Sequence, residues 1–206
     1  MLIARVRHPV HTLGPGVRAG VWTQGCGLAC DGCVARDTWP ADPATEVPVS
    51  EVVEWIGSLA VLDGVTISGG EPLDQPDELT NLLEGIRALG RPSLDVLLFT
   101  GRTLRAATRA YPGVLALVDA VIAGPFRRDQ PTSHPLMGSA NQELAMFTAL
   151  GATRYGSLPV AERRPVQAAI GGDGRLHTVG IPNEGDLVRL RGAARSRGFI
   201  ADGLSG

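Results

Sequence analysis

The stretch Gly64-Val65-Thr66-Ile67-Ser68-Gly69-Gly70-Glu71-Pro72 is a β-branched run that stops at two glycines, an acidic residue and a proline. A short apolar run bounded by such breakers predicts a buried strand. Beyond it, Leu79, Leu82, Leu83, Ile86 and Leu89 fall on one helical face, opened by Asp77 and Glu78 and closed by Gly90 and Pro92, so the spacing predicts a helix. Asp95 to Thr100 reads as the next strand, Thr103 to Ala110 as a helix and Ala120 to Ala123 as a further strand. Strands alternating with helices imply parallel βαβ units, and hence an α/β fold.

Outward from this centre the pattern changes. Arg18 to Gln24 reads as the first strand of the parallel sheet, preceded by an extra strand over Met1 to His8 and a Gly/Pro loop over His11 to Gly16. The chain reads as irregular from Gly124 through Ser139 and again from Gly151 to Pro165. Gln167 to Ile170 and Arg175 to Val179 flank Gly171-Gly172-Asp173-Gly174, which predicts a hairpin. Gly185 to Gly198 reads as a closing helix whose arginines, Arg189, Arg191, Arg195 and Arg197, form a solvated face.

Composition bounds the function. A chain of 206 residues and 21.5 kDa, 44% hydrophobic, fits one domain with a real core. It contains no lysine, so all 19 basic residues are arginine. Schiff-base, pyridoxal phosphate and P-loop chemistries each require a lysine and are excluded. A net charge of −2 and a pI near 6.1 offer no positive field for nucleic acid. No apolar run reaches the roughly 20 residues that span a bilayer, the longest, Val114 to Phe126, being broken by Asp119. The start, Met1-Leu2-Ile3-Ala4-Arg5, lacks a secretory pattern, and a cytoplasmic location without membrane attachment is expected.

All three cysteines lie in Cys26-Gly27-Leu28-Ala29-Cys30-Asp31-Gly32-Cys33, a C-x3-C-x2-C loop directly after a predicted strand. Three thiols so close in sequence make a poor disulfide framework, which leaves metal or redox chemistry. Structural zinc sites draw four ligands from two separated pairs, and no histidine follows here at finger spacing. Thiolates also hold iron-sulfur clusters, and three of them on a four-iron cubane leave one iron open to another ligand. Glycines at 25, 27 and 32 let such a loop wrap closely.

The cysteine loop followed by Gly69-Gly70-Glu71-Pro72 resembles the radical S-adenosylmethionine superfamily. Trp22-Thr23-Gln24-Gly25-Cys26, Asp31-Gly32-Cys33, Thr38-Trp39, Gly124-Pro125-Phe126 and Gly138-Ser139-Ala140-Asn141-Gln142 are similar to one branch of it, the activating enzymes of anaerobic ribonucleotide reductase. The likeness covers about residues 1 to 147, with a looser match at Gly180-Ile181-Pro182.

The resemblance implies a single radical S-adenosylmethionine domain over residues 1–206, with a core at about 18–147 and a C-terminal extension at about 148–206. It implies a partial (β/α) barrel or an open curved, mainly parallel sheet, with a small C-terminal hairpin and helix. By it, Cys26, Cys30 and Cys33 ligate a 4Fe-4S cluster whose open iron chelates S-adenosylmethionine. One electron then cleaves the cofactor to methionine and a 5′-deoxyadenosyl radical, which generates a glycyl radical on a partner reductase. A flavodoxin- or ferredoxin-type protein would supply the electron.

Gly69, Gly70 and Glu71 are expected at the methionine amine, and their place after a strand agrees with ligand binding at the carboxyl edges of parallel sheets. Thr100, Gly101 and Arg102 occupy the equivalent turn of the next strand, with Arg102 facing the methionine carboxylate. Asn141 and Gln142 are candidates for ribose or carboxylate. His134, in an irregular loop, is a more distant candidate for proton transfer. Three positions depart from the wider pattern. Gly32 stands where many superfamily members have an aromatic residue, as is usual in the activating branch. Ala123 stands where that branch carries aspartate, and Met137 where it often carries arginine. These last two changes leave room for modification of a small molecule or peptide, while a noncatalytic zinc or electron-transfer module is the alternative outside the superfamily.

Overall fold

A computed structural model describes residues 1–158, 165–170, 176–183 and 185–199. The chain enters through β1 (Ile3–Val10) and returns antiparallel as β2 (Arg18–Thr23). There follow α1 (Val49–Ser58), β3 (Gly64–Gly69), α2 (Pro76–Ala88), β4 (Asp95–Thr100), α3 (Leu104–Ala110), α4 (Pro112–Leu115) and β5 (Ala120–Ala123). Then come β6 (Glu143–Met146), α5 (Ala149–Tyr155), a hairpin of β7 (Val166–Ile170) and β8 (Leu176–Gly180), and α6 (Asp186–Arg195).

The main sheet has the order β1-β2-β3-β4-β5-β6, with β2 through β5 parallel and an antiparallel strand at each edge. Because parallel crossovers are right-handed and each strand is added on the same side of the last, the crossover helices gather on one face. Strand alternation divides the side chains accordingly. Val21, Val65, Ile67, Val96, Leu98 and Val121 form one core with Val52 and Ile56 of α1 and Leu79, Leu82, Leu83 and Ile86 of α2. The opposite face carries Leu97, Ala120 and Ile122 with Leu136 and Tyr155, and a separate cluster of Val10, Leu13 and Trp22.

Local chemistry sets the helix boundaries. Pro76 opens α2, Asp77 and Glu78 occupy its first turn, and Arg87 lies in its last, each suited to the helix dipole. Thr103 caps α3 by accepting the Ala106 N–H at 3.3 Å. The four predicted strands of the parallel sheet are present, while β1 runs two residues beyond its expected end at His8.

Besides the single-turn helix α4, three elements were not apparent from sequence. Helix α1 contains the β-branched Val49, Val52 and Val53, which weaken helix propensity; burial of Val52 and Ile56 decides it instead. Strand β6 is four residues long and partly exposed, and is defined by its pairing with β5. The expected irregular patch from Gly151 begins inside α5. Thr148 caps this helix through the Gly151 N–H at 3.0 Å, and a Cβ on Gly151 would stand 2.1 Å from the Asp119 carbonyl. Residues 171–174, the expected hairpin turn, lie outside the described residues, although β7 and β8 pair as a hairpin requires. Among the described residues no helix is long and apolar enough to cross a membrane.

Candidate functional site

The carboxyl ends of the parallel strands, on the face away from the crossover helices, open into a cavity of about 520 Å³. Cys26, Cys30 and Cys33 line it together with Gly69, Gly70, Glu71, Thr100 and Gly101. Residues from three separate turns therefore meet in one place, as expected at the edge of a parallel sheet.

The cysteine loop is anchored at its start. The Gly25 N–H donates to the Thr38 carbonyl at 2.8 Å and the Cys26 N–H to the Trp39 carbonyl at 3.0 Å. The Gln24 amide donates to the carbonyls of Asp37 and Pro40, which ties the same two segments together. On the other side the loop root meets the Gly69–Glu71 turn, where the Gly70 N–H donates to the Thr23 carbonyl and the Glu71 N–H to the Gly25 carbonyl, both at 2.9 Å. Gly69 sits at φ +111°, and a Cβ on Gly70 would stand 2.0 Å from the Gly25 carbonyl oxygen. The glycine pair is thus required by close backbone approach.

Glu71 is fully buried and joins two turns. Its Oε1 accepts from the Leu73 N–H at 3.0 Å and the Thr100 hydroxyl at 2.7 Å, and its Oε2 accepts from the Gly101 N–H at 2.7 Å. Burial pushes its carboxyl above the usual range against the pull of these three donors. Burial also raises the Cys26 thiol, with the carboxylates of Glu71 and Asp74 adding to the effect, while backbone N–H groups of Leu28 and Ala29 oppose it. Metal coordination overcomes such a barrier by removing the proton outright.

Arg102 and Asn141 are not among the residues lining this cavity. Arg102 donates to Asp74 Oδ1 at 2.6 Å and lies over the Tyr111 ring at 5.5 Å. The Asn141 amide donates to the Pro125 carbonyl at 2.8 Å, and its neighbour Gln142, which does line the cavity, bridges Gly138 and Gly124. His134 lies away from the cavity lining, its Nδ1 accepting the Leu136 N–H at 3.2 Å. Asp74 escaped the sequence reading although its Oδ2 accepts the Gly27 N–H at 3.0 Å and so clamps the cysteine loop. Its position in the turn after Glu71 was the available signal. Trp22 and Phe99 also line the cavity, and strand alternation on β2 and β4 places both on that face.

The three thiols are free of disulfides and all line the cavity, a donor set whose chemistry suits an iron-sulfur cluster, although among the described residues no three Cys, His, Asp or Glu side chains are already gathered as a metal-binding group. The 4Fe-4S single cluster domain family matches residues 12–145. The chain belongs to this family. The cluster domain thus includes the cysteine loop, the Gly69–Glu71 turn and the Asn141–Gln142 segment, and ends before the β7–β8 hairpin.

Similar proteins include anaerobic ribonucleoside-triphosphate reductase-activating proteins. That of Enterobacteria phage T4 is 32% identical over 135 residues, covering 64% of this chain and 85% of the relative. Those of Escherichia coli and Vibrio cholerae are 29% and 28% identical, covering 63% and 66% of this chain and 88% and 91% of the relatives.

Proposed function

We propose that this chain is a radical S-adenosylmethionine enzyme that activates an anaerobic ribonucleotide reductase by generating a glycyl radical on it. The observation that carries the reading is the convergence of the three thiols and the Gly69–Glu71 turn on one cavity at the sheet's carboxyl edge. When bound, the cluster and S-adenosylmethionine supply the electron and the 5′-deoxyadenosyl radical.

The protein's own residues hold and enclose. Cys26, Cys30 and Cys33 would hold three of the cluster's irons, and the turn at Gly69 to Glu71, whose backbone lies against the cluster loop, would meet the methionine amine. Thr100 and Gly101 are held in place through Glu71. Trp22, Phe99 and Phe126 give the cavity apolar walls that limit water. The names of the relatives support a reductase as partner, and the chemistry requires a one-electron donor, a role that suits a flavodoxin- or ferredoxin-type protein.

Anaerobic reconstitution with iron and sulfide, followed by reduction with S-adenosylmethionine, is expected to release 5′-deoxyadenosine. An intact cluster that releases none would overturn the enzyme reading. A glycyl radical signal on an added anaerobic reductase, dependent on this chain, tests the choice of partner.

One observation favours a second reading, modification of a small molecule or peptide. Ile181, Pro182 and Leu187, beyond the region matched to the family, also line the cavity and narrow the room for a protein loop. Release of 5′-deoxyadenosine without any reductase radical would favour it.

A further inference from the structure

Among the described residues lining the cavity, two are charged, Glu71 and Arg128. Glu71 spends both oxygens on internal donors. The guanidinium of Arg128 has no hydrogen bond or ion pair among the described residues. It lies against the cysteine loop: a Cβ on Gly32 would stand 2.6 Å from Arg128 Nε and 2.7 Å from Nη2. Gly32, at φ +77° between Cys30 and Cys33, thus leaves the space this side chain occupies.

The backbone carrying Arg128 is pinned on both sides. The Arg127 N–H donates to the buried Ser139 hydroxyl at 3.0 Å, and the Gln130 carbonyl accepts the Ala140 N–H at 2.8 Å. Arg102, the cation expected at the cofactor, is already engaged by Asp74 outside the lining.

A ligand bearing a carboxylate must find a compensating donor when it enters a mainly apolar cavity. A guanidinium presents the planar fork that matches a carboxylate. The half-buried rings of Phe99 and Phe126 line the cavity and offer apolar surface for a purine, which leaves Arg128 as the charged partner for the anionic end. From this division we infer that Arg128 binds the methionine carboxylate of S-adenosylmethionine. The inference rests on the proposed function and replaces Arg102 in that role.

The test is calorimetric titration of the anaerobically reconstituted wild type and Arg128→Ala with S-adenosylmethionine and with its decarboxylated analogue. Iron content shows that both proteins carry the cluster. Arg128→Ala is expected to bind S-adenosylmethionine about tenfold to a hundredfold more weakly, the range of charge-assisted hydrogen bonds, and to bind the analogue as the wild type does. Equal losses for the two ligands, or no loss for either, overturn the assignment while leaving the enzyme reading intact. A wild-type holoprotein that binds neither ligand overturns both.

Discussion

Arg18 and Asp95 pair across an intervening strand, through the space that Gly64 leaves without a side chain. The three residues are register partners on β2, β3 and β4. Arg18 Nη1 and Nη2 reach Asp95 Oδ1 and Oδ2 at 3.0 and 2.8 Å, and both side chains are fully buried. Its remaining N–H groups donate to Thr66, Pro15 and Val65, so all five are satisfied, and the Tyr155 hydroxyl donates to Asp95. Such a network stays folded because every member has its partner.

Gly64→Ala should therefore be more harmful than a glycine-to-alanine change in an ordinary strand. The added Cβ would meet Arg18 Nη1 at 2.3 Å and Asp95 Oδ1 at 2.6 Å. We expect a loss of about 1–3 kcal/mol from overpacking and about 3–5 kcal/mol for Asp95→Ala, which strands a buried guanidinium. Urea unfolding of the apoprotein, with unchanged slope and a lower midpoint, measures both.

Glu71 gives a pH signature. Its carboxyl is raised on folding, so the folded chain holds this proton more tightly than the unfolded chain does. The stabilising contribution is full below the ordinary carboxylate range and is lost as pH rises through the raised value. Glu71→Gln leaves a donor facing the Gly101 N–H and should cost about 1–3 kcal/mol. The stability difference between wild type and variant should shrink as pH climbs through that window. A difference that grows instead would show that the three hydrogen bonds outweigh burial.

Asp74 separates positioning from stability. Its pair with Arg102 is about a third exposed, 32% and 30%, so Asp74→Asn and Arg102→Ala should each move global stability by less than about 1 kcal/mol. Both should nevertheless speed hydrogen exchange at the Gly27 amide, which Asp74 holds. Unchanged exchange would show that the loop does not depend on this clamp.

Replacing any one of Cys26, Cys30 or Cys33 by alanine should lower iron and sulfide well below about four of each per chain after reconstitution, since the cluster loses a ligand. Circular dichroism should stay that of the wild type, because all three thiols are only partly buried and form no disulfide, and the backbone N–H groups that meet Cys26 belong to its own loop. Retention of a full cluster by one variant would remove that cysteine from the ligand set.

Much of the centre was legible locally. Val65, Ile67, Val96 and Leu98 are β-branched or apolar at strand spacing, and Leu79, Leu82, Leu83 and Ile86 recur at helical spacing, so β3, α2 and β4 follow from periodicity alone. The cysteine loop and the glycine pair at Gly69 and Gly70 were equally plain, because both are short-range patterns. Helix α1, strand β6 and helix α5 were not. Their residues have weak or mixed local preferences, and burial of Val52 and Ile56, pairing with β5, and contact with the Asp119 carbonyl settle them.

The amino-acid sequence by itself determined the α/β class, the exclusion of lysine chemistry and a three-thiol loop, since each depends on residue type or spacing within a few positions. The tertiary structure decided which charges reach the cavity. Arg102 stands next in line after Thr100 and Gly101 yet turns to Asp74, whereas Arg128, in a stretch with no periodicity, is carried against Gly32 by the bonds of Arg127 and Gln130 to the Ser139–Ala140 segment. A guanidinium sits at the end of a long flexible stem, so its place is fixed by partners distant in the chain, and those become visible only once the strands are side by side.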